Sequence, residues 1–125
     1  MENPYDIDVQ VETAYVSEHS EPDEDRFVFA YTITLVNRGS VTAQLISRHW
    51  FITDADNRTE EVEGEGVVGE QPVLKPGEGF RYTSGAVIET PVGTMHGTYQ
   101  MVKPDGSGFD AAIAPFSLSV LFAFV

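Results

Sequence analysis

Phe27-Val28-Phe29-Ala30-Tyr31-Thr32-Ile33-Thr34-Leu35-Val36 is the stretch that decides the fold class. Every second residue, from Phe27 through Phe29, Tyr31 and Ile33 to Leu35, is large and apolar, and of the alternates Val28, Thr32, Thr34 and Val36 are β-branched. Successive side chains of a strand point to opposite faces, so this spacing lays one continuous apolar row on one face. β-Branched residues suit the pleated surface of a sheet, whereas a helix would scatter the same row around its circumference. Asn37-Arg38-Gly39-Ser40 then reads as a turn.

The same alternation continues in both directions. Upstream, Ile7, Val9, Val11, Thr13 and Tyr15 share a face, with Asp8, Gln10 and Glu12 on the other. Downstream, Val41 to Thr53 reads as a strand that is apolar on both faces around Trp50, and Asp54-Ala55-Asp56-Asn57 as the next turn. Thr59 to Val62 reads as a short strand or strand end. Residues 63–79 hold five glycines and two prolines and alternate poorly, which predicts a long loop with at most a short extended stretch. Strands return at Phe80 to Ile88 and Thr94 to Val102, and Lys103-Pro104-Asp105-Gly106 predicts a hairpin turn. The last strand region, Phe109 to Phe122, is interrupted by Pro115. Proline cannot donate to a ladder, so this strand lies at an edge or bends there. Nothing reads as a helix longer than a turn. The pattern predicts an all-β fold: one domain over residues 1–125, an antiparallel β-sandwich of about seven to eight strands.

A chain of 125 residues can bury a core that needs no disulfide or metal. It has no cysteine, which excludes disulfides, thiolate zinc sites and a cysteine nucleophile; this composition suits a cytoplasmic protein. The N-terminal residues Met1-Glu2-Asn3-Pro4-Tyr5-Asp6 carry no basic region and no apolar run, so no signal peptide is expected. No stretch approaches the ~20 apolar residues of a membrane span. Seven basic and twenty acidic residues give a net charge of −13. Such a field repels phosphate backbones and anionic lipid, so nucleic acid and membrane are not expected partners; cations and basic protein surfaces are better candidates, and solubility alone accounts for the charge as well.

Few residues suggest chemistry. Gly64-Glu65-Gly66-Val67-Val68-Gly69 matches G-x-G-x-x-G, a pattern that cradles pyrophosphate when a helix follows it. Here Pro72 and Pro76 oppose a helix, and Glu63, Glu65 and Glu70 oppose phosphate, which favours a structural loop. Val67 and Val68 stand side by side, and neighbours in an extended chain point opposite ways, so both cannot enter the core. Either one plugs the sandwich end while the other packs on the loop, or the pair meets a partner. The acids between the first two strands form a solvated loop in which Glu18, His19, Asp23 and Asp25 are candidate ligands for a weakly held divalent cation. His49, beside Trp50, reads as a hydrogen-bonded strand histidine. Asp54-Ala55-Asp56-Asn57 is no calcium loop, because Thr59 stands where glycine is required. No serine lies in G-x-S-x-G, and the carboxylate pairs lie in loops without an apolar setting to raise a pKa. No catalytic residue and no cofactor is expected.

The stretch from Gly64 through Gly69, Gln71-Pro72, Lys75-Pro76-Gly77-Glu78, Tyr82-Thr83-Ser84-Gly85, Glu89-Thr90-Pro91 and Gly93-Thr94-Met95 to Gly97 and Tyr99 resembles the signature region of the ApaG family. Arg26 to Tyr31 and Arg48 with Trp50 extend the likeness, so that it spans nearly the whole chain. The resemblance implies a fibronectin type III/immunoglobulin-like sandwich. It also implies a stand-alone bacterial protein named for cobalt and magnesium tolerance, related to domains that look like protein-interaction modules in F-box proteins and a polymerase-delta-interacting protein. It supplies no enzymatic activity. The function expected is therefore a non-catalytic binding module with a protein partner, with Gly64 to Gly69 as the contact. The alternative is a binder of divalent cations or of nucleotide pyrophosphate.

Overall fold

The computed structural model describes residues 6–120. Eight strands follow in chain order: β1 (Ile7–Tyr15), β2 (Phe27–Asn37), β3 (Ala43–Asp54), β4 (Thr59–Glu65), β5 (Val73–Leu74), β6 (Gly79–Ile88), β7 (Val92–Val102) and β8 (Gly108–Ser119). Two single 3-10 turns, Ser17–His19 and Pro22–Glu24, fill the β1–β2 connection. All strand pairs are antiparallel. One sheet has the order β1-β2-β6 and the other β4-β3-β7-β8, with β5 also pairing β3. The two close face to face over one core, and β1 packs on β8. This is the all-β antiparallel sandwich the alternation predicts. Among the described residues no helix is long and apolar enough to cross a membrane.

The deciding stretch forms the centre of the three-stranded sheet. Its odd-numbered residues from Phe27 to Leu35 are all buried, and their alternates are only partly so. Trp50 packs edge-on against Tyr31, Tyr99 and Phe116, with ring centroids 5.4–6.3 Å apart, so one residue of β3 ties both sheets and β8 together. Large aromatics such as this one remove the most apolar surface from water and contribute most to the stability of such a core. The Tyr82 and Tyr99 hydroxyls hydrogen-bond each other across the two sheets. Burial pushes both hydroxyls above the ordinary tyrosine range, which keeps this bridge neutral. Asn37 is fully buried because its amide serves as a splice: Nδ2 donates to the carbonyls of Val41 and Leu74, and Oδ1 accepts from Gly39 N–H.

Three expectations are sharpened or corrected. Pro115 lies on an edge strand and also inside a break in register between Met95 and Gly97, so it both marks the edge and bends it. Gly106 adopts φ +86°, and Lys103 N–H donates to Ser107, as the hairpin turn requires. By contrast β4 does not stop at Val62; it runs to Glu65. The stretch read as a long loop is thus the end of a strand, a tight turn and the short strand β5. Phe122 lies outside the described residues.

One cluster closes the β3–β4 turn. Arg58 reaches Asp54 at 2.7 Å, Glu89 at 2.7 Å and Asp56 at 3.1 Å, and Ala55 N–H donates to Thr90 Oγ1. These contacts fasten the β3–β4 turn to the end of β6. Burial opposes ionisation of Asp54, but the Arg58 and Asp56 N–H groups and the guanidinium hold its carboxyl below the usual carboxylate value.

Candidate functional site

The opposite end of β4 is built on a flaw in β3. The β3–β7 register slips between Leu45 and Ser47, which takes Ile46 out of the ladder, as a bulge does. The Ile46 carbonyl is then free to accept Gly66 N–H at 2.8 Å and Gln71 Nε2 at 2.9 Å. Leu45 N–H reaches past them to Pro72. The turn at 66–70 is closed by a pair of bonds in which Val67 and Glu70 each donate to the other's carbonyl. Gly66 has φ +64°, and a Cβ there would meet the Glu70 carbonyl oxygen at 2.5 Å, so only glycine fits. Arg48 crosses Gly64 and donates from Nη1 to the carbonyls of Glu65 and Gly66 at 3.0 and 2.9 Å. A guanidinium thus pins the strand end to the turn.

Within this frame the six residues of the glycine motif separate. Gly64 and Glu65 are strand residues. Val67 is 1% exposed and belongs to the core, whereas Val68 is 58% exposed and has φ +44°. One valine therefore plugs the sandwich end, as one alternative held, but the other faces solvent rather than packing on the loop. The motif does not shape a pyrophosphate cradle. The N–H groups of Gly66, Val67 and Glu70 are committed to carbonyls, and β5 follows where a helix would have to start.

A second constellation lies on the outward face of the five-stranded sheet. Register sets His49 opposite Glu63 and Phe51 opposite Glu61. The imidazole sits between two carboxylates, Nε2 2.6 Å from Glu61 and Nδ1 3.5 Å from Glu63. Its ring lies on Phe51 at 4.6 Å, and Phe51 stacks on His96 at 5.1 Å. An open concavity of about 540 Å³ borders it, lined by Ser47, Arg48, His49, Glu63, Glu65 and Gln100 among others. The sequence reading pairs none of these residues. The signal was present: folding the chain back about the Asp54–Arg58 turn places His49 across from Glu63. Glu18, His19, Asp23 and Asp25 are all exposed and spread over two 3-10 turns and the residue after them. Among the described residues, the His/Asp/Glu group whose ligand atoms converge is His49, Glu61 and Glu63, not these four.

Comparison with known proteins places this architecture. The ApaG domain family matches residues 17–103, which span β2 to β7 with the glycine turn inside. The chain is 62% identical over 116 residues to Protein ApaG of Thiobacillus denitrificans, covering 93% of this chain and 91% of that one. It is 56% identical to Protein ApaG of Methylococcus capsulatus, covering 94% and 93%. A crystal structure from Bordetella pertussis superposes with a TM-score of 0.91 at 52% identity, covering 95% of this chain and 97% of that one. The family match runs through both sheets and the glycine turn, and the relatives cover more than nine-tenths of the chain; this chain belongs to the ApaG family.

Proposed function

We propose that the protein is a non-catalytic binding module whose contact with a protein partner is the turn from Gly64 through Glu65, Gly66, Val67 and Val68 to Gly69. The observation that carries this reading is Val68. A β-branched residue with positive φ is a true conformational outlier, and such strain collects at binding and switching sites. Val68 adopts it in order to hold an apolar side chain out in solvent, 58% exposed. Beneath it, Arg48, the Ile46 carbonyl and buried Val67 fix the turn, so the ordering cost of binding is already met by the fold. Glu65 and Glu70 flank the valine, and the chain carries −13, which favours a partner presenting a small apolar pocket with a basic rim. That field disfavours nucleic acid, and the reading needs no cofactor. A non-catalytic role fits Tyr82 and Tyr99, two buried titratable hydroxyls that are bonded to each other inside the core.

The test is Val68→Asn. Asparagine tolerates this backbone conformation, so the variant stays folded while the apolar tip is lost. Affinity purification of the intact protein and of the variant, compared by quantitative mass spectrometry, should show a salt-sensitive partner depleted by the substitution. The same partners recovered equally by both proteins would place the contact elsewhere.

A further inference from the structure

We propose that His49, Glu61 and Glu63 form a binding site for a divalent transition-metal ion of the class that takes mixed imidazole and carboxylate ligands, Zn²⁺ being the representative. The proposal is independent of the glycine turn. It rests on three side chains that register projects from adjacent strands onto one outward face.

The donor atoms, one per residue, all lie within 4.8 Å of one another. Around a tetrahedral zinc they would stand about 3.3–3.5 Å apart, given Zn–N and Zn–O bonds near 2.1 Å. Closing to that spacing is within reach of Glu61 and Glu63, whose side chains are 56% and 71% exposed. His49 is the fixed member, 25% exposed with its ring tilted against Phe51 at 4.6 Å. Electrostatics favour a cation here. With a neutral imidazole the cluster holds two negative charges, and the neighbouring Arg48 is committed to the carbonyls of Glu65 and Gly66. Glu60 and Glu65 on the same strand add to the field. What sets this cluster apart from the acidic remainder of the surface is the imidazole. A nitrogen donor selects borderline ions over Mg²⁺ and Ca²⁺, which prefer oxygen throughout. Three protein ligands leave further positions open to water.

Calorimetric titration of the intact protein with Zn²⁺ near neutral pH tests this. The expected result is saturable binding of one equivalent. His49→Gln and Glu61→Gln should each weaken it by about tenfold or more, while His19→Gln leaves it unchanged. The variants concern outward side chains, and circular dichroism should report each as folded. Ligands must be deprotonated to bind, so affinity should fall as the solution is acidified. Heteronuclear NMR should show the His49 ring resonances, and not those of His19, moving with added Zn²⁺. Absence of saturable binding overturns the proposal. So does binding that survives His49→Gln, that disappears with His19→Gln, or that Mg²⁺ displaces at comparable concentration.

Discussion

The two ends of β4 solve the same problem with opposite results. At each end the chain reverses, an arginine crosses the turn, and one non-glycine residue takes positive φ. At the β3–β4 turn that residue is Asn57, φ +63°, and the arginine is Arg58, which meets three carboxylates. Asparagine accepts this conformation readily, and each of the three carboxylates meets the guanidinium. At the far end the residue is Val68, φ +44°, and the arginine is Arg48, which meets only neutral carbonyls. The first turn is a relaxed clasp. The second is held against its local preference by buried Val67 and the bulge at Ile46, and it ends in an exposed apolar side chain. A fold that needed only to reverse its chain had the asparagine solution available; using valine instead is what marks the glycine turn.

The strongest way to break this contrast is Val67→Ser. It removes a fully buried valine and buries a hydroxyl, so about 2–4 kcal/mol of stability should be lost, a drop in Tm of roughly 10 °C by calorimetry. A near-neutral result would mean that the turn is not anchored by its core residue. Next is Arg48→Met, which deletes two charge-assisted bonds at the strand end and should cost roughly 1–2 kcal/mol in urea unfolding. An unchanged midpoint would show the guanidinium to be ornamental. Exchanging the two positive-φ residues sharpens the comparison further. Val68→Asn should stabilise by up to about 1 kcal/mol, and Asn57→Val should destabilise by about the same amount; shifts of equal sign would remove the distinction between the turns. The smallest effect appears only in acid. The folded Asp54 carboxyl is held below 3.8, so its contribution is complete above that value and is lost as pH falls through the lower folded one. Asp54→Asn should therefore flatten the decline of Tm below pH 3.8. Part of the slope should remain, because Asp105 is also held low, by Ser107 Oγ and its N–H. An undiminished acid slope would show that the clasp does not depend on the ionised Asp54.

The sandwich was legible because its central strands bury one face: β2 alternates without exception, and the turn at Lys103 to Gly106 carries its own chemistry. β4 was cut short because it reads Thr-Glu-Glu-Val-Glu-Gly-Glu. An acidic edge strand is held by ladder hydrogen bonds to β3 rather than by apolar burial, so only Val62 signals it. That omission hid the cluster as well, since Glu61 and Glu63 meet His49 only through the β3–β4 register. The glycine motif was visible, but the division of labour between Val67 and Val68 depends on the bulge at Ile46, which no local pattern announces.

The packing of β1 on β8 has a consequence in time. About ninety residues separate these strands, and at ~5–20 residues per second the ribosome takes about 5–20 s to make that interval. Until then β1 can pair with β2 but has no opposing strand to cover its apolar face. The nascent chain thus spends seconds with the β1 face uncovered by β8, and topologies dominated by such distant pairings also fold slowly once complete. A net charge of −13 makes such chains repel one another while they wait.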